Sequence, residues 1–151
     1  MQDRGIIFSG CLYHVTTRDR AEEILKNGFD LNAQTRTCPH EFGKGVFLGG
    51  TFEEWYHFFE RAKIFYNFYG FLKEPDFKEK NVVLECFVKE AFLYNHHKSE
   101  KLLFTEKMHN DIRENFDGIS SQYINSSIVE YCIWVISKIE VLGMMKEKDL
   151  F

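Results

Sequence analysis

A chain of 151 residues with 44% apolar and 28% charged side chains can bury one core without disulfides or a structural metal, and is short for two domains. Its net charge of −4, with Lys and Arg present singly or in pairs, excludes the basic footprint that grips phosphate backbones non-specifically. Sixteen Phe, 7 Tyr and 2 Trp predict an aromatic interior.

Residues 6 to 15 alternate as a strand does, with Leu12 and His14 on one face and Tyr13 and Val15 on the other. A helix is expected from Asp19 to Asn27, since Asp19 and Glu22 form a capping pair, Ala21, Ile24 and Leu25 make an apolar stripe, and Gly28 suits the end. Residues 32 to 44, polar and holding Pro39 and Gly43, read as a functional loop. Gly45 to Leu48 follows as a short strand. Thr51-Phe52-Glu53-Glu54 is a capping box that opens a helix from Phe52 to Gly70, on which Trp55, Phe58, Phe59, Ala62, Phe65, Tyr66 and Tyr69 recur at helical spacing, as on a core face. Lys73 to Lys80 is a surface connection.

Asn81 to Lys89 is an interior strand with Val82, Leu84, Cys86 and Val88 on one face and Val83 and Phe87 on the other. Leu102 to Asn115 reads as a helix, Phe116-Asp117-Gly118-Ile119 as a turn into a strand, and residues 120 to 127 as a Ser/Asn-rich loop. Residues 128 to 136 form a strand whose one charged member is Glu130, with Ile128, Cys132, Trp134 and Ile136 on its face. Lys138 to Leu142 is a last strand, and the Lys-rich tail after Met145 frays. The mixture is α+β, with early and late strands pairing across the chain in one domain, residues 1 to 151.

Cys11, Cys38, Cys86 and Cys132 never form the C-x-x-C pairs of a zinc site, and neither Cys38-Pro39-His40 nor His96-His97 has a partner pair. No metal is expected, and the three cysteines in apparent strands, Cys11, Cys86 and Cys132, read as small buried apolar residues. The apolar run around Trp134 is too short to span a bilayer, and Met1-Gln2-Asp3-Arg4 lacks the order of a secretion signal. A reduced, cytoplasmic protein is expected, or one delivered into a host cell without a cleaved signal.

The order of strand-His14, Asn27-Gly28-Phe29, Gly45-Val46-Phe47-Leu48, Phe116-Asp117-Gly118-Ile119 and Val129-Glu130-Tyr131-Cys132-Ile133 resembles the ADP-ribosyltransferase superfamily. The likeness is to its His-Tyr-Glu branch, typified by diphtheria toxin and the poly(ADP-ribose) polymerases, and covers residues 11 to 142. It implies a split, bent β-sandwich with flanking helices, whose cleft holds NAD as co-substrate. Glu130 would hold the nicotinamide ribose and offset the positive charge of an oxocarbenium-like transition state. His14 would anchor a ribose hydroxyl, and the main chain of Val15, where the family usually has Gly, would hold the carboxamide. Thr16 would reach the ribose or a phosphate; alternatively Thr16 or Thr17 caps the helix.

Phe47 stands where the branch has Tyr, and its flat face would stack on nicotinamide; alternatively it is a plain core aromatic. Tyr56 or Phe58 would supply a second aromatic, Gly43 and Gly45 a close backbone approach, and Arg36 a pyrophosphate contact. Ile128 replaces the Glu or Gln of arginine- and Rho-modifying relatives. The chain supplies no clear lysine or histidine for polymer synthesis. The resemblance therefore implies mono-ADP-ribosyl transfer to a macromolecule, a protein rather than a nucleic acid, by an effector or toxin. The alternatives are an NAD glycohydrolase and a degenerate NAD or ADP-ribose binder. A tRNA 2′-phosphotransferase is disfavoured, because its chemistry relies on cations where this chain has Glu130. The implied reaction requires the two ends of the chain to converge on one crevice, with the His14 imidazole and the Glu130 carboxylate facing the same sugar from one side of the sheet.

Overall fold

The alternating segment at the N-terminus becomes the first of six strands in a computed structural model, which describes residues 4–33, 44–49, 81–97, 105–122 and 129–145. The elements are β1 (Gly5–Thr17), α1 (Arg18–Asn27), β2 (Val46–Gly49), β3 (Asn81–His97), α2 (Glu106–Asn115), β4 (Gly118–Gln122), β5 (Val129–Ile133) and β6 (Ile139–Met144). Short 3-10 turns lie at Leu31–Ala33 and Ile136–Lys138. This is an α+β arrangement, rich in strand. The expected helix over residues 52 to 70, with Tyr56 and Phe58, lies outside the described residues, as do Arg36, Cys38, Gly43 and Ile128.

The sheet runs β1-β2-β5-β4-β3-β6, and a further antiparallel ladder joins β1 to β3. Five strands therefore close into a ring, with β6 added on the flank of β3. The β1–β3 ribbon extends from Gly5 opposite Tyr94 to Thr17 opposite Asn81, so β3 continues well past the expected end at Lys89. β3 also changes its second partner along its length. Leu84 to Val88 pair antiparallel with β6, and Leu93 to His97 pair parallel with β4.

The change of partner coincides with a kink. Register slips between Phe8 and Gly10, and Glu90 takes a φ of 48°. The Glu90 amide donates to the Ser9 hydroxyl at 2.8 Å, and the Lys138 ammonium donates to the Glu90 carbonyl at 3.3 Å. An extra residue in one strand bends it and increases its twist, which lets one long ribbon serve two neighbours.

Alternation sorts the side chains onto two faces. Leu12, Leu48, Val82, Leu84, Cys86 and Val88 pack with Ala21, Ile24 and Phe29 of α1 and its exit on one face. Phe47, Tyr94, Ile119, Cys132 and Trp134 pack with Ile112 and Phe116 of the α2 region on the other. The expected grouping of Val82, Leu84, Cys86 and Val88 is thus present.

Thr17 rather than Asp19 caps α1: the chain enters the helix straight from β1, and the Thr17 hydroxyl accepts from the Arg20 amide at 3.3 Å. Gly28 closes the helix at φ 80°, its amide bonded to the Ile24 carbonyl, a geometry that a side chain resists. β4 occupies residues 120 to 122, which composition had placed in a loop. β5 ends at Ile133, short of the expected 136, because the Trp134 and Val135 amides turn to the Asp117 carbonyl at 3.0 and 3.2 Å. Ile136 consequently packs against the α1-side cluster and not beside Glu130. No described helix is long and apolar enough to cross a membrane.

Candidate functional site

Glu130, 6% exposed, sits in register with Gly49 of β2 on one side and Ser121 of β4 on the other. Gly49 in turn opposes Tyr13 of β1, and Ser121 opposes His96 of β3. Residues directly opposed on paired strands project from the same face. Tyr13, Gly49, Glu130, Ser121 and His96 therefore form one row. It starts from Glu85, the partner of Tyr13 on β3, and returns to β3 farther along at His96, the stagger that closing a sheet demands.

Gly49 contributes no side chain, so the row has a gap between Tyr13 and Glu130. Phe47, two residues earlier on β2 and opposite Cys132, flanks that gap on the same face. Burial, then the negative charge of Glu85, then Cys11, raises the Tyr13 phenol above its ordinary value, so it stays a hydrogen-bond donor.

His14 is held differently. Its Nδ1 lies 2.7 Å from the main-chain oxygen of Phe47. A carbonyl only accepts, so Nδ1 carries the proton and, in the neutral ring, Nε2 carries the lone pair. The ring meets Phe29 edge-on at 5.1 Å between centroids. β1 and β2 share the single registered pair Tyr13 and Gly49, and just beyond it the imidazole binds the main chain where a longer ladder would have run. β2 brings the two ends of the chain side by side, but His14 and Glu130 project from opposite faces of the sheet, so the expected convergence of imidazole and carboxylate on one crevice is not met. Glu130 and Phe47 share a face with Tyr13, whereas His14 follows Leu12 onto the other face, where its ring bonds the Phe47 main-chain oxygen.

The other expected residues fall as follows. Val15 packs at the edge of the Phe47 cluster, Thr16 stays in β1 opposite Val82, and Gly45 is buried just ahead of β2. Phe47 is 6% exposed among Tyr94, Phe116 and Trp134. Arg36 and Tyr56 lie outside the described residues.

Several residues that shape the site were not among the expected site residues. The Arg113 guanidinium lies 5.0 Å over the Trp134 ring and donates to the Lys44 carbonyl at 2.9 Å, and burial lowers its pKa. Asp117 joins three strands: its carboxylate accepts from the Phe92 amide at 2.8 Å, and its carbonyl holds the end of β5. Ser121 was hidden by the Ser/Asn composition of its segment, although continuing the alternation from Ile119 would have placed it on Glu130's face.

Cys11 and Cys86 are free thiols. Burial, then Glu85, then Cys11, pushes the Cys86 thiol up to about 12, so it is inert as a nucleophile. Cys132, on the face of Glu130, is disulfide-bonded, which corrects the expectation of four reduced cysteines; its partner lies outside the described residues. Among the described residues no group of three or more His, Cys, Asp or Glu is arranged to hold a metal ion.

No family model matches the chain, and no curated protein matches it. The geometry itself supplies the chemistry available: a buried carboxylate in a row with Ser121, His96 and Tyr13, beside the aromatic face of Phe47. Such a group stabilises a neighbouring positive charge more strongly than it would in water.

Proposed function

We propose that this chain is an NAD-dependent mono-ADP-ribosyltransferase of the His-Tyr-Glu kind, with Phe47 in the tyrosine position. The observation that carries the reading is the placement of Phe47 and Glu130 on one face around Gly49, beside a seam closed by His14. Nicotinamide stacks on Phe47, with Val15 and Gly45 giving main-chain contacts, and Glu130 accepts a hydrogen bond from the ribose. The bond between ribose C1′ and the nicotinamide nitrogen breaks, and its electron pair leaves with nicotinamide. Glu130 offsets the positive charge left on the sugar. A nucleophile of the acceptor protein then bonds to C1′ and releases its proton to solvent.

A second reading, binding of NAD or ADP-ribose without turnover, is favoured by the pleat offset between His14 and Glu130. Incubation with NAD labelled in the adenylate separates the possibilities. Label on protein supports transfer, free labelled ADP-ribose with nicotinamide supports hydrolysis, and retention of intact NAD supports binding alone. Failure to retain or convert NAD removes the proposal.

A further inference from the structure

Glu130 has two cross-strand neighbours, and only one of them has a side chain. On the β2 side stands Gly49; on the β4 side stands Ser121. Ser121 is fully buried at 0% exposure, and among the described residues its hydroxyl has no hydrogen-bond partner. Ser120, next to it on the opposite pleat, donates to the Asn95 side-chain oxygen at 3.1 Å. Leaving a buried hydroxyl unsatisfied carries a desolvation cost that native structures seldom tolerate without a reason.

We propose that Ser121 is a ligand-binding residue that takes the ribose hydroxyl adjacent to the one held by Glu130, so that the pair recognises a cis-diol. This inference rests on the reading of Glu130 as the ribose-holding carboxylate. An ionised carboxylate only accepts, whereas a serine hydroxyl both donates and accepts. Directly opposed side chains have Cβ atoms roughly 4.5–5.5 Å apart, a spacing from which two short side chains converge on neighbouring hydroxyls of one sugar. The buried row then discriminates against sugars lacking either hydroxyl, since each absence strands a polar group. His96, on the far flank of Ser121 and 1% exposed, bounds the subsite on that side.

The test compares the full-length parent chain with Ser121→Ala in calorimetric binding of NAD and of its analogue lacking the 3′-hydroxyl on the nicotinamide ribose, together with thermal unfolding of the ligand-free proteins. The expected result has three parts. The variant unfolds at the same temperature as the parent or higher, because an unsatisfied hydroxyl is gone. Its affinity for NAD falls about tenfold, the scale of one hydrogen bond. Its affinity for the deoxy analogue matches that of the parent. Unchanged NAD affinity overturns the proposal, as does an equal loss for both ligands. A less stable variant also overturns it, by showing that the hydroxyl serves the fold. If the parent itself binds neither NAD nor the analogue, the reading of Glu130 fails and takes this inference with it.

Discussion

Placing a methyl group at position 118 tests how tightly β4 and β5 are joined beneath Glu130. A Cβ there would lie 2.5 Å from the main-chain oxygen of Cys132 and 2.9 Å from Cα of Ile133. Both are backbone atoms, so no side-chain rotation relieves the clash. Restoring ordinary contact moves the strands apart by roughly 0.9 Å, which stretches the hydrogen bonds between them beyond useful range. Overpacking costs about 1–3 kcal/mol, and each weakened ladder bond adds about 0.5–1.5 kcal/mol. The lower backbone entropy of unfolded Ala returns less than about 1 kcal/mol. The expected net loss for Gly118→Ala is about 3 kcal/mol, against a domain stability on the order of 5–15 kcal/mol, with a fall in Tm of roughly 6–12 °C.

Urea unfolding followed by tryptophan fluorescence measures this directly. Gly143→Ala is the matched control, because nothing lies within 4 Å of its Cβ position. Gly118→Ala within about 0.5 kcal/mol of the parent, the scatter of an ordinary surface change, would refute the close β4–β5 approach.

Cys86 sets an alkaline limit on stability. Its thiol is raised from 9.0 to about 12 in the fold, so the contribution is complete below pH 9 and is lost as pH rises towards 12. By pH 10 the loss is about 1.4 kcal/mol; Cys86→Ala should abolish that slope in chemical denaturation at pH 8 to 10, and an unchanged slope would count against a buried thiol. Glu90, held at φ 48°, carries strain that glycine avoids. Glu90→Gly should therefore raise stability by about 0.5 kcal/mol, read as a higher urea midpoint, while a loss of more than that would show that the side chain is needed at the kink.

The sequence announced β1, α1 and the interior face of β3 because their apolar residues recur with the period of the element. Val82, Leu84, Cys86 and Val88 are the clearest case. It was mute on residues 90 to 97, where Glu90, Asn95, His96 and His97 look like a surface segment. Closure of the ring pairs that stretch with β1 and β4 and buries Ala91, Leu93, Tyr94 and His96, a tertiary effect that no local pattern encodes. Glu130 stood out as one charge inside an apolar strand, and its burial follows from the strands on either side. The pleat offset of His14 was already implied by placing Leu12 and His14 together. Its meaning for Glu130 depends on register, and the single pair joining β1 to β2 is a property of three strands at once. Ser121 and Arg113 were overlooked for two local reasons: one sat in a segment of loop-like composition, the other on a polar helix face.

The account depends above all on Glu130 acting on an NAD-bound ribose. The direct measurement is release of nicotinamide from NAD by the purified chain and by Glu130→Gln, which keeps the shape of the side chain and removes its charge, with circular dichroism to verify the fold. The account predicts turnover by the parent and a loss of at least a hundredfold in the variant, with the spectrum unchanged. Equal nicotinamide release by the two proteins would contradict it.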